Sequence, residues 1–237
     1  MITTKLFRVK YPSHPHSLTQ YDYPYYYADL QFELGVLYAK QAEGLGGALS
    51  MYFDNALTAF EEALSVFRDG YPMEKAQTLF HWGATRNSMP EKTDESREEV
   101  IEVYDQALSV ATKKNNPSLY AQIQISKSVV YNELPKTRSR AQEALGAANE
   151  ALGLLSTEEN TAEYARACVA LSGACITYAS LGEVGDDEAL PRLQTSVSYS
   201  KEALQLVSPS FYAGLHRTAE KNRELAEAEL SNRGLEI

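Results

Sequence analysis

The chain has 237 residues, 44% of them hydrophobic and 23% charged, which is enough to bury a core in one large or two small domains without metal or disulfide support. Twenty-two Lys and Arg stand against 32 Asp and Glu, and the net charge of −10 repels phosphate backbones and anionic lipid, so neither nucleic acid nor membrane is an expected partner. No apolar run approaches the roughly 18 residues needed to cross a bilayer, and the basic N-terminus has no apolar stretch behind it, which argues against a secretory leader and for the cytoplasm.

In chain order, residues 1–24 read as a Tyr- and Pro-rich arm. Residues 11–27 hold Tyr11, Tyr21, Tyr23, Tyr25, Tyr26 and Tyr27 together with Pro12, Pro15, Pro24, His14 and His16, a composition that favours irregular structure carrying large amphipathic side chains. Two readings stay open for it: a cap lying along the first helices, or a docking segment that orders on a partner.

Beyond the arm the sequence repeats. Glu61-Glu62-Ala63-Leu64-Ser65-Val66 recurs as Asp105-Gln106-Ala107-Leu108-Ser109-Val110, as Asn149-Glu150-Ala151-Leu152-Gly153-Leu154 and as Lys201-Glu202-Ala203-Leu204-Gln205-Leu206, with the alanines 44, 44 and 52 residues apart. Prolines supply an independent period. Pro72 and Pro90 are 18 apart, as are Pro117 and Pro135, and the pairs are offset by 45. Proline is tolerated in the first turn of a helix and just past its end, so the pairs frame helices over Glu74–Met89 and Ser118–Leu134. Ala56, Ala59, Phe60, Ala63, Leu64 and Phe67, and later Val100, Val103, Tyr104, Ala107, Leu108 and Ala111, recur at helical spacing. Each unit is therefore helix, turn, helix, and leans on its neighbour to cover its apolar face. The units span approximately 25–69, 72–114, 117–156 and 160–207, followed by a charged capping helix over 210–231 and a tail, 232–237.

Leu34-Gly35-Val36-Leu37-Tyr38 followed by Ala56, Phe60 and Ala63 resembles the tetratricopeptide repeat, in which Leu-Gly and a nearby Tyr mark the first helix and Ala and Phe the second. Trp82-Gly83 with Tyr104 and Ala107 follows the same pattern, and it fades through Ser128, Tyr131, Ala144, Ala148 and Ala151. The period exceeds the family's 34 residues and is similar to long, degenerate repeats of bacterial multi-repeat proteins. The resemblance covers residues 25–231. It implies an all-α, right-handed superhelical stack of about four antiparallel helix pairs plus a C-terminal capping helix, a tetratricopeptide-like α-solenoid, with first helices lining a concave groove for a peptide or partner protein. The framed helices carry recurring groove candidates: Gln77 and Gln122, Phe80 and Ile125, Asn87 and Asn132, then Arg166 and Val169. An amide flanked by apolar residues can bond a peptide backbone while its neighbour holds a side chain. The lysines and arginines of the family's carboxylate clamp are largely missing.

The sequence offers no catalytic, metal or cofactor constellation. The histidines at 14, 16, 81 and 216 include no pair four residues apart on one helix face. Gly44-Leu45-Gly46-Gly47 lacks the lysine and preceding strand of a phosphate loop and reads as a turn. Adjacent acids such as Glu61-Glu62, Glu98-Glu99 and Asp186-Asp187 diverge by about 100° on a helix. Cys168 and Cys175, two turns apart, read as buried free thiols. The expected function is thus a non-catalytic adaptor, scaffold or regulatory subunit. The alternative is a small-molecule sensor or an unusual all-helical enzyme using a pocket near His81, Trp82 and the N-terminal tyrosines. Self-association through an exposed end of the stack is a further option.

Overall fold

The computed structural model describes residues 19–44, 50–68 and 70–234. Among them the chain is all-α, with nine helices and no strand. It divides into two compact units, the boundary falling between Ala111 and Thr112. The first unit holds α1 (Pro24–Gly44), α2 (Ser50–Val66), α3 (Pro72–Ser88) and α4 (Asp94–Leu108). The second holds α5 (Pro117–Glu133), α6 (Arg138–Leu152), α7 (Thr161–Ala179), α8 (Asp186–Leu206) and α9 (Ala213–Asn232).

The punctuation read from the sequence has local causes. Pro72 and Pro117 occupy the first turns of α3 and α5, where the missing N–H costs nothing. Pro90 and Pro135 lie just past the ends of the same helices. The turns between helices carry the caps: Thr93 and Ser96 form a reciprocal capping box on α4, Thr137 accepts from the Arg140 amide at α6, and Asn116 accepts from the Leu119 amide at α5.

In each unit consecutive helices pack on one another, and the first helix of a hairpin also touches the first helix of the next: α1 on α3, α5 on α7, α7 on α9. The alanine stripes lie at these contacts. Ala121, Ala141, Ala144, Ala148, Ala167 and Ala174 share one core cluster with Leu171, Leu193 and Tyr178, and short side chains let the helix axes approach closely.

A small residue sits at the same register of the first helix in each of the four hairpins: Gly35, Gly83, Ser128 and Ser172. The corresponding positions of the second helices are Phe60, Tyr104, Ala148 and Ser200. Gly35 faces the ring of Phe60 and Gly83 that of Tyr104, so closely that a Cβ would fall 2.6 and 2.5 Å from a ring carbon. In the last hairpin Ser172 Oγ lies 2.7 Å from Ser200 Oγ and 2.8 Å from Ser196 Oγ, all three buried. Ser128 Oγ, whose counterpart is an alanine, is buried with no hydrogen-bond partner among the described residues.

Eight residues before each small residue stands a second repeated contact. Tyr27 donates to Glu62, Tyr120 to Glu150 and Tyr164 to Glu202 at 3.0 Å. Each glutamate immediately precedes the alanine of the recurring phrase. Gln31 and Gln124, one turn beyond the tyrosines in two of the three pairs, donate to the tyrosine hydroxyls at 3.0 and 2.9 Å and also reach the carboxylates. These contacts clamp the two helices of a hairpin in one register. The second hairpin carries Lys75 and Gln106 at the equivalent places.

The wider last spacing of the alanine phrases has a structural source. Helix α7 is two residues longer than α5, its connection to α8 is two longer than that between α5 and α6, and α8 starts four residues earlier relative to the shared alanine than α6 does.

Some expected boundaries move. Residues 1–18 of the arm and 45–49 of the glycine turn lie outside the described residues, as do 235–237 of the tail. Helix α1 starts at Pro24, so Tyr25, Tyr26 and Tyr27 of the Tyr-rich stretch belong to its first turn. There Tyr25 packs within 5.9 Å of Phe67 and 5.2 Å of Tyr71 between ring centroids. Helix α9, expected from residue 210, begins at Ala213, because Ser208 to Tyr212 form a turn closed by the Tyr212 amide on the Ser208 carbonyl.

Candidate functional site

The groove candidates lie on the first helices of both units, and each unit is described by itself. In the first unit Gln77 is exposed on α3 and lines a cavity of about 330 Å³ together with Tyr25, Asp29, Phe32, Glu33 and Glu74. Phe80 is half-buried, with its ring centroid 6.3 Å from Tyr104 and 5.3 Å from His81, so much of it is spent on packing between α3 and α4. Asn87, penultimate in α3, is half-buried, and its amide oxygen is buried with no hydrogen-bond partner among the described residues.

The histidine and tryptophan of α3 do not line that cavity. His81 sits among Phe32, Phe60 and Phe80, at 5.2, 6.1 and 5.3 Å between ring centroids. Burial holds its imidazole below the ordinary range, Lys40 adds to this, and Glu33 opposes it. Trp82 Nε1 donates to Glu61 at 3.3 Å, across to α2.

In the second unit Ile125, Arg166 and Val169 come together. They line a cavity of about 520 Å³ with Val129 and Ala170 and with the start of α9 and the turn before it. Ile125 and Val169 are each 8% exposed, so they form the floor. Arg166 is exposed, has no ion-pair partner among the described residues, and is the one charged residue of the lining. Gln122 is half-buried on α5 and is not part of this lining.

Asn132 occupies in α5 the place of Asn87 in α3, and its amide oxygen is likewise buried and unpartnered. Its Nδ2 lies 3.6 Å from where a Cβ on Gly173 would sit, as does Nδ2 of Asn222 on α9, which donates to the Val169 carbonyl at 3.2 Å. Gly173 thus leaves two amides close to bare backbone. Sequence reasoning passed over Phe211, Tyr212, Thr218 and Asn222, because the charge of the last helix pointed only to a cap. The adjacent aromatics Phe211 and Tyr212, placed before a polar helix, were the available signal.

Among the described residues no group of three His, Cys, Asp or Glu converges to hold a metal ion, and no helix is long and apolar enough to cross a membrane. Cys168 and Cys175 are buried free thiols. Burial pushes Cys168 up to about 12, with Glu202 adding to the effect, and Cys175 up to about 11. Both are unsuited to nucleophilic work. The same unit presents a smaller cavity of about 260 Å³ lined by Asp187, Glu188, Pro191, Arg192 and Thr195. There Glu188 is already engaged by Arg138 at 2.6 Å and by the Tyr178 hydroxyl.

No protein-family model matches the sequence, and no curated protein aligns with it.

Proposed function

We propose that the chain is a non-catalytic interaction module of the tetratricopeptide kind, its hairpins stacked in a right-handed superhelix. On this reading the uncovered faces of its first helices hold an extended peptide or a partner protein in the cytoplasm. The observation that carries the reading is the pair Asn87 and Asn132. They stand 45 residues apart at the same place in two first helices, each with a buried amide oxygen lacking a partner. Leaving such a group unsatisfied costs about 1–3 kcal/mol, and a cost repeated at equivalent positions suits a group kept for use. Rotation about χ2 turns the oxygen outward, where a ligand's backbone N–H satisfies it.

The test compares partner recovery from a lysate by the wild type and by Asn87→Ala plus Asn132→Ala. Recovery should collapse while the free variant gains thermal stability. Equal recovery by the two proteins refutes the role of the asparagines.

A second reading, a small-molecule sensor, is favoured by the cavity between α1 and α3, where Asp29, Glu33 and Glu74 stand beside the rings of Tyr25, Phe32 and Phe67. Its ligand would be a compact organic cation, since carboxylates and aromatic faces both attract positive charge. A panel of such amines should then raise the melting temperature at saturation.

A further inference from the structure

We infer that the α5, α7 and α9 face of the second unit binds an extended peptide segment through an apolar side chain with an acidic side chain beside it. The inference rests on the interaction reading above and names the chemistry of its ligand. The cavity of about 520 Å³ falls within the size range of preformed ligand sites, and its floor of Ile125 and Val169 is aliphatic.

Apolar surface continues around it. Val129 is 38%, Phe211 86% and Tyr212 38% exposed, and Leu225, two turns along α9 from Thr218, is 47% exposed. Four of the seven exposed large hydrophobics among the described residues therefore belong to this face or its rim. An exposed apolar surface of this kind marks an interaction site more often than chance placement does.

Charge selects the occupant. Arg166 is the sole charged residue of the lining and has no ion-pair partner among the described residues, in a chain whose net charge is −10. The net field of the chain opposes acidic segments, and at this rim the guanidinium offsets it. One guanidinium with no second cation in the lining matches a single carboxylate. We assign it to an Asp or Glu side chain within a continuing segment, because the binding face also continues. From Arg166 to Gly173 is seven residues of helix, about 10 Å, which an extended chain covers in about three residues. A segment anchored in the cavity therefore brings its backbone to Gly173, where the Asn132 and Asn222 amides lie.

The test uses a linear peptide library displayed by fusion at its C-terminus, so that no peptide carries a free terminal carboxylate. It is selected separately on the wild-type chain and on Arg166→Glu. Arg166 is exposed and has no ion-pair partner among the described residues, so the variant should keep the wild-type circular dichroism spectrum and melting temperature. Wild-type selections should be enriched for Asp or Glu within two positions of Leu, Ile or Phe. Synthetic, amidated versions of these peptides should bind at least tenfold more weakly to Arg166→Glu and to Phe211→Ser. Selection on Arg166→Glu should exchange the acidic preference for Lys or Arg.

Peptides with the acid content of the unselected library, or equal binding to wild type and Arg166→Glu, overturn the inference. If such peptides are nevertheless lost on Asn132→Ala, the interaction reading stands and only the cavity's role falls. Binding that demands a free C-terminal carboxylate, read by displaying the same peptides with an open C-terminus, also overturns it. A library that yields no binder to the wild type counts against both.

Discussion

Replacing Gly83 by alanine sets two effects of known sign against each other. In a helix interior alanine is favoured over glycine by about 1 kcal/mol. At position 83, however, the new Cβ would stand 2.5, 3.1 and 3.2 Å from Cε1, Cδ1 and Cζ of Tyr104, whose side chain is 1% exposed and cannot swing away. Ordinary carbon contacts lie near 3.5–4.0 Å, so the overlap is about 1 Å. Overpacking of this kind costs about 1–3 kcal/mol. The variant should therefore lose about 1 kcal/mol net. In a Tyr104→Leu background, where the ring is gone, the same change should gain about 1 kcal/mol, leaving a coupling of about 2 kcal/mol. Gly146→Ala on α6 of the second unit, where a Cβ would meet nothing within 4 Å, is the control for helix propensity alone and should stabilise that unit, read by circular dichroism. Urea unfolding read by Trp82 fluorescence reports the first unit, because that tryptophan is the chain's only one and lies on α3. A Gly83→Ala change that stabilises the wild type as much as it stabilises Tyr104→Leu would refute the close approach.

Ser128→Ala should stabilise the second unit by about 1 kcal/mol by removing an unpartnered buried hydroxyl, whereas Ser172→Ala should destabilise it by a similar amount, leaving Ser196 and Ser200 short of a partner. Denaturant midpoints by circular dichroism separate the signs. Because burial lowers the His81 imidazole in the folded chain, its contribution is complete above the unfolded value near 6.5 and is lost as pH falls below it. His81→Phe should flatten the decline in melting temperature between about pH 6.5 and pH 5. Cys168 and Cys175 should resist a thiol-specific disulfide reagent at pH 8 in the folded chain, and both should react at once in guanidinium.

Periodic signals carried most of the architecture. The alanine phrases mark the ends of α2, α4, α6 and α8, and the proline pairs bracket α3 and α5, because burial at helical spacing and a missing N–H act locally. What stayed hidden depends on partners distant in sequence. The glutamate of each phrase looks like a solvated charge until the hairpin closes and brings Tyr27, Tyr120 or Tyr164 to it across 30 or more residues. Gly35 and Gly83 read as family markers, and only the packed rings show why no side chain fits. The candidate site was legible in part. Ile125, Arg166 and Val169 meet because α5 and α7 are successive first helices, but the aromatics completing their cavity come from a turn that composition alone placed in a cap.

The exchange of bulk between helices, from glycine facing an aromatic ring to serine facing serine, governs how such a chain can be recombined. A first helix transplanted alone from the last hairpin to the first would drive a hydroxymethyl group into Phe60, and the reverse transplant would leave a void over Ser200. Grafts and evolutionary shuffling must therefore move both rods of a hairpin as one cassette, with crossover points in the connections between hairpins.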